Sequence, residues 1–232
     1  MSPRPSLQAV TFDVTHTLIH PPRAAAIYAE VLARHGTAAS ESQLRHLIPL
    51  VWQEMACRAT LGRDRFASHP GGARGFWRRF LDRLAEHLGL EPPSPFAAAE
   101  LWERFLRPDS WEIYADVRPA LGELRRRGLR LGVVSNWDER LPQLLERLEL
   151  RACFETVVYS AEVGAEKPHP RIFQTALDRL AVGPEAALHV GDSRRDDLEG
   201  AQGVGLRALL LDRRGAGDVV DLAALLAHRE CA

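Results

Sequence analysis

Hydrophobic and polar positions divide the chain into three stretches. Residues 8–13 (Gln-Ala-Val-Thr-Phe-Asp) form a short apolar run ending in polar residues, the pattern of a strand. From about residue 22 to 108 the apolar positions recur at helical spacing and predict four amphipathic helices, over 22–35, 40–60, 73–89 and 95–106. From about 116 the period alternates: helix 116–127, strand 129–135, helix 138–148, strand 155–160, helix 170–181, strand 186–191, helix 194–203, strand 206–211, helix 218–228. Strands alternating with helices imply βαβ units and a parallel sheet covered on both faces. The short apolar runs 129–134 and 187–190 have the character of buried parallel strands. The first strand cannot bury itself ahead of a long helical stretch, so it must join this later sheet. The expected fold is α/β: a Rossmann-like core built from residues 1–19 and 111–232, with an α-helical cap domain inserted over 20–110.

Local signals support the helical stretch. Ser40 with Gln43 makes a capping box, and Ser94-Pro95 is an N-cap followed by proline at the first helical position. Pro49 predicts a kink in the second helix. Gly62 to Gly75 holds too many turn residues for a helix interior and reads as a loop.

Composition narrows the function. With 232 residues and 46% hydrophobic content the chain can bury a substantial core. Its net charge is -1 and its arginine doublets are scattered among acids, so nucleic acid is not an expected partner. Arg125-Arg126-Arg127 falls at a helix end, where cations complement the dipole. Cys57, Cys153 and Cys231 are too few and too irregular for a disulfide framework or a zinc site. With no apolar signal core and no long apolar run, a soluble cytoplasmic protein without membrane association is expected.

Lys167 is the single lysine among 30 basic residues. A chain that writes every other cation as arginine places a lysine where a compact point charge is needed instead of a planar fork. Asp13, Ser135 and Asp192 each fall at or just past the carboxyl end of a predicted strand, where open α/β sheets collect ligands. Carboxylates for a hard cation, a hydroxyl for an oxyanion and a lysine between them suit phosphoryl transfer.

Asp13-x-x-x-Thr17-Leu18, Ser135-Asn136, Lys167-Pro168 and Gly191-Asp192-Ser193 with Asp197 resemble, in order, the four motifs of the haloacid dehalogenase (HAD) superfamily. The match spans residues 8–211, and the helical insertion is similar to its C1 cap type. Trp111 to Leu177 resembles the subgroup related to haloacid dehalogenase-like domain-containing 3. The resemblance implies that Asp13 is a nucleophile forming a phospho-aspartyl intermediate, and that Thr15, Ser135, Asn136 and Lys167 bind the substrate. It also implies a Mg²⁺ held by Asp13, the Thr15 carbonyl, Asp192 and Asp197, with Lys167 bridging nucleophile and substrate.

One position departs from the pattern. Phosphatases of this superfamily carry a second aspartate two residues after the nucleophile as general acid/base, and this chain has Thr15, as the family's transport ATPases do. His16 is the only adjacent residue able to titrate in that role, although neighbours at a strand end point apart. His189 reads as a satisfied core histidine, His169 as part of a helix's first turn, and Trp52, Trp77 and Trp102 as core of the cap. Arg23, Arg63 and Arg65 are cap cations able to meet a substrate anion. The function expected is Mg²⁺-dependent hydrolysis of a small phosphate ester, slowed by Thr15. The alternatives are a phosphate-binding pseudo-phosphatase and a metal-free 2-haloacid dehalogenase, the latter carrying tyrosine where this chain has Thr15.

Overall fold

The computed structural model describes residues 6–57, 63–228 and 230. β1 (Ala9–Phe12), buried at every position, passes through a tight turn into β2 (Ile19–His20). Four helices follow: α1 (Ala24–Arg34), α2 (Glu41–Cys57), α3 (Gly72–Leu88) and α4 (Pro95–Arg104). The chain returns through β3 (Glu112–Ile113), α5 (Val117–Arg126), β4 (Arg130–Ser135), α6 (Leu141–Arg147), β5 (Thr156–Tyr159), α7 (Ser160–Val163) and α8 (Pro170–Leu180). It ends with β6 (Ala187–Gly191), α9 (Gly200–Gln202), β7 (Arg207–Leu210) and α10 (Leu222–Ala227).

The five longer strands form one parallel sheet in the order β5-β4-β1-β6-β7. β1 is central: Phe12 stands opposite Val133 on one side and Val190 on the other. Alternation then separates the two faces. Val10, Phe12, Leu131 and Val133 pack against Leu121 and Leu124 of α5 and Leu144 and Leu145 of α6, while Ala9 and Val134 pack against Ile172, Phe173 and Leu177 of α8. Each of the Val, Leu, Ile and Phe side chains among these, fully buried, contributes about 1.5–3 kcal/mol. The core is therefore the Rossmann-like layer expected, with a strand from the start of the chain at its centre.

The four helices between residues 24 and 104 have an apolar cluster of their own, built on Ile27, Val31, Leu44, Phe80, Leu84 and Leu101. Their starts follow the sequence signals: the Gln43 amide donates to Ser40 Oγ at 3.3 Å while the Ser40 amide donates to Gln43 Oε1 at 3.1 Å, and Ser94 caps α4. Helix α2 continues through Pro49. Positions 58–60 of the predicted second helix, and Gly62 of the predicted loop, lie outside the described residues.

Three local features differ from expectation. β2 and β3 pair as a two-stranded antiparallel ribbon, Ile19 opposite Ile113, which closes the helical stretch at its base. Two-residue strands carry too little periodicity to be read from sequence. Second, helix α3 starts at Gly72, one residue before the start expected for it, so the glycine-rich loop ends short of Gly75; Gly72 is in the left-handed region at φ 61°. Third, the helix expected over 194–203 is a π-helical turn, Arg194–Glu199, running into α9. The Ser193 carbonyl accepts from both the Asp197 and Leu198 amides, at 2.9 and 3.1 Å, so the turn is one residue wider than an α-turn.

Candidate active site

Asp13 follows β1, Ser135 closes β4 and Asp192 follows β6. These strands are neighbours in the sheet, so the three side chains share its carboxyl edge. Ser135 Oγ donates to Asp13 Oδ1 at 2.9 Å. Lys167 comes from the loop between α7 and α8, and its Nζ donates to Asp13 Oδ1 at 2.6 Å and to Asp197 Oδ1 at 2.5 Å. The lysine is 4% exposed, so this is a buried charge held between two carboxylates and not a surface cation.

Asp13, Asp192 and Asp197 offer carboxylate oxygens that lie within 4.8 Å of one another. Packing so many acids together perturbs each differently. Burial raises the Asp13 carboxyl above the ordinary range, opposed by the Lys167 charge and assisted by that of Asp197. Asp192, an exposed residue, is pushed up to about 7 by partial desolvation of its carboxyl and by the charges of Asp13 and Asp197. Burial acts to raise Asp197 as well, but the Lys167 charge and the His189 hydrogen bond outweigh it and hold Asp197 well below the usual range. For Lys167 burial disfavours the charge, and Asp13 and Asp197 reverse that effect and raise it. Protein groups alone thus leave Asp13 and Asp192 short of positive charge. A hard divalent cation with oxygen preference fits this donor set.

Within the π-turn Asp196 is half-buried, whereas Asp197 is buried. Its Oδ1 also meets His189 Nε2 at 3.0 Å, and its Oδ2 accepts from the Ser193 amide at 2.9 Å. His189 in turn contacts Thr11 Oγ1 through Nδ1 at 2.9 Å. His189 is fully buried, as a core histidine should be, but its partner is a carboxylate of the site. The available signal is only that a titratable residue sits in the strand running into Asp192. Gly191 is required where it is: a Cβ there would stand 2.2 Å from Asp197 Cγ. Asn136, expected among the substrate-binding groups, holds the Lys167 peptide. Its Oδ1 accepts from the Lys167 amide at 2.6 Å and its Nδ2 donates to the Lys167 carbonyl at 3.1 Å.

Residues 7–205 match the family model described as haloacid dehalogenase-like hydrolase. The chain belongs to that family. It is 33% identical over 216 residues to the haloacid dehalogenase-like hydrolase domain-containing protein 3 of Mus musculus, covering 91% of this chain and 84% of the relative. It is also 33% identical over 222 residues to a glyceraldehyde 3-phosphate phosphatase of Methanopyrus kandleri, covering 90% and 85%. Among solved structures, a HAD phosphatase from Thermococcus onnurineus superposes with a TM-score of 0.67 at 26% identity, over 95% of this chain and 97% of that one. This HAD-like chain is therefore a hydrolase with phosphatases among its relatives, and no helix among its described residues is long and apolar enough to cross a membrane.

At the position that departs from the HAD pattern, Thr15 is half-buried and bridges to Ile19 at the foot of the ribbon. His16 is exposed, adopts φ 63°, and fixes the turn by donating its backbone amide to the Ile19 carbonyl at 2.7 Å. Partial desolvation of its imidazole in the turn lowers the pKa, against the pull of the Asp13 charge. No hydrogen bond joins that imidazole to Asp13 among the described residues.

Between the helical stretch and the sheet edge lies a cavity of about 200 Å³ that reaches the site at Thr15 and Asn136. Trp52, Trp77 and Trp102 do pack in the helical core, yet each also forms cavity wall. Of the three arginines of the helical stretch expected to meet a substrate anion, Arg23 is paired with Glu30 at 3.0 Å and Arg65 with Glu166 at 2.7 Å, while Arg63 lines a separate depression. The Arg65 pair is nearly buried and ties the loop before α3 to the residue preceding Lys167.

Proposed function

We propose that the chain hydrolyses a small phosphate monoester through a phospho-aspartyl intermediate on Asp13, within a site that takes Mg²⁺. The observation that carries this reading is one oxygen of Asp13 bound by both Ser135 and Lys167, beside two further carboxylates within 4.8 Å. A purely structural ion pair would have no use for the extra acids. For the same purpose we divide the chain into a core, 1–19 and 111–232, and a helical cap, 20–110, hinged at the β2–β3 ribbon.

Asp13, the Thr15 carbonyl and Asp192 would hold the cation. Asp197 stands behind them, its oxygens already accepting from Lys167, His189 and the Ser193 amide. When bound, Mg²⁺ offsets the charge of the phosphoryl oxygens and of the acids around them. Ser135 and Lys167 fix the Asp13 carboxylate and lie where phosphoryl oxygens would arrive, and Asn136 fixes the backbone that carries Lys167. In the first step an Asp13 oxygen bonds to phosphorus and the ester P–O bond breaks, the alcohol oxygen taking a proton. In the second, water attacks the same phosphorus, the P–O bond to Asp13 breaks, and inorganic phosphate leaves with Asp13 restored. Thr15 has no proton to exchange near neutrality, so the leaving alcohol draws on solvent and turnover is slow. That same threonine is the observation favouring a second reading, a phosphate-binding protein of negligible turnover.

Phosphate release from a panel of monoesters, with Mg²⁺ and with chelator, separates the two. Mg²⁺-dependent release that Asp13→Asn abolishes, with the melting temperature retained, supports the covalent mechanism. Undiminished release from that variant would refute it.

A further inference from the structure

All five tryptophans of the chain, Trp52, Trp77, Trp102, Trp111 and Trp137, line one cavity, which opens onto Thr15 and Asn136. They come from three cap helices, from the return segment beside β3 and from the loop after β4, so no one element's periodicity accounts for their convergence. Tyr28, Phe66, Phe80 and Phe105 complete the ring of aromatic wall. Several of these rings interact with each other: Trp52 stacks on Trp77 with centroids 5.6 Å apart, and Trp111 lies 5.3 Å from Trp137.

The charged lining is neutralised in place. Among the described residues of the cavity wall the one cation is Arg140, and it is 8% exposed. Its Nε and Nη2 donate to Asp138 Oδ1 and Oδ2 at 2.9 and 2.6 Å, and its Nη1 donates to the Trp102 carbonyl at 3.2 Å. Asp138 accepts in addition from Trp77 Nε1 at 2.7 Å. The guanidinium also lies over the Trp102 ring, 3.8 Å from its centroid. A substrate carboxylate or second phosphate entering here would have to displace Asp138 from a buried, bidentate pair, which is strongly unfavourable. A volume of about 200 Å³ exceeds the roughly 150 Å³ that accommodates a benzene ring.

We infer that the alcohol portion of the substrate is an uncharged aromatic group of about one ring, so that the chain acts on aryl or arylalkyl phosphates and disfavours phosphate esters bearing a carboxylate. This rests on the phosphomonoester reading above and names its substrate class. The ring would enter the cavity past Thr15 while the phosphoryl group stays with Asp13, Ser135 and Lys167.

Benzyl phosphate and ethyl phosphate have leaving alcohols of similar acidity, so their comparison isolates the pocket. The expected kcat/KM favours benzyl over ethyl phosphate by about 10- to 100-fold, the gain typical of burying one ring, with O-phosphoserine below both. Binding is measured in parallel with benzylphosphonate and ethylphosphonate, with Mg²⁺ present, by the emission of the five tryptophans. Benzylphosphonate should bind at least tenfold more tightly and shift the emission. Ala98→Phe, which fills the cavity from α4, should bring the benzyl preference to within about threefold, with Ala24→Leu as the alternative filling variant if the first fails to fold. Equal affinity of the two phosphonates, or a preference for O-phosphoserine, overturns the inference. Absence of any turnover instead counts against the hydrolytic reading, and the phosphonate comparison still decides what the cavity binds.

Discussion

Lys167→Met is the most informative single change, because it keeps most of the side chain's volume while removing a charge that two acids share. The lysine makes two charge-assisted hydrogen bonds in a site where Asp13, Lys167 and Asp197 are all buried. Removing one partner of a buried ion pair costs about 3–5 kcal/mol, because the other charge is left unpaired. Part of that loss is recoverable: Asp13 is already displaced upward and takes up a proton readily, whereas Asp197 keeps His189 and the Ser193 amide. The expected destabilisation without Mg²⁺ is therefore at the lower end, about 3 kcal/mol, and Mg²⁺ should restore some of it. Expected turnover falls about 10²- to 10³-fold, as for loss of one preorganised electrostatic contact. Lys167→Arg keeps the charge but brings a planar fork where two oxygens are met by one ammonium, and should also lose turnover. Thermal melting with and without Mg²⁺, beside steady-state phosphate release, measures both effects. Wild-type turnover in Lys167→Arg would refute the argument from the compact charge. An unchanged melting temperature in Lys167→Met without Mg²⁺ would refute the assignment of a buried shared pair.

Three further changes probe other parts of the site. Thr15→Asp places a titratable acid at the mouth of the cavity, and turnover of a poor leaving group should rise by about 10²- to 10⁴-fold; no gain in single-turnover rate would show that the missing acid/base is not the limit. Asp192 is raised from 3.8 to about 7, so the folded state holds its proton over a range where the unfolded chain has lost it. The cation-free protein should accordingly lose stability as pH rises through that window, and stabilisation by Mg²⁺ should grow through it; a Mg²⁺-induced melting shift independent of pH between 5 and about 8 would contradict this. Gly191→Ala puts a Cβ 2.2 Å from Asp197 Cγ and must push that carboxylate out of its bonds, so a loss of about 1–3 kcal/mol in melting experiments and a fall in turnover are expected together.

What was legible in the sequence follows from how local each signal is. Strand ends are marked by a few consecutive residues, so the positions of Asp13, Ser135 and Asp192 could be read directly, and their convergence followed from the general behaviour of parallel sheets. The composition of a chain that uses one lysine singled out Lys167 without any geometry. The π-turn was not legible, because it differs from ordinary helix by one bond, from the Leu198 amide to the Ser193 carbonyl, that leaves no mark in the apolar periodicity. Without that turn, Asp196 and Asp197 are equal candidates on sequence, and the choice of Asp197 rested on the motif alone. The role of Asn136 was hidden for a similar reason: a residue beside Ser135 in sequence is adjacent in space to whatever the facing loop brings, here the Lys167 peptide.

The aromatic cavity shows why the helical stretch was the harder part to read. Amphipathic periodicity tells which face of a helix is apolar, and Trp52, Trp77 and Trp102 do lie on such faces. It does not tell whether the apolar face meets another helix completely or leaves a gap. Ring-shaped side chains on crossing helices fill space unevenly, and the partners that bound this gap, Trp111, Trp137 and the Asp138–Arg140 pair, belong to the other layer of the molecule. The pair is a property of the boundary between the two layers, since Asp138 accepts from Trp77 of α3 and Arg140 donates to Trp102 of α4. A charge pair that holds Trp77 and Trp102 from the sheet side would set the position of the proposed cap over Asp13 as well as the character of the cavity. In the proposed division into core and cap, substrate selection and cap position would be coupled through the same four side chains, so a change at Asp138 or Arg140 should alter both which ester is accepted and how firmly the cap is held.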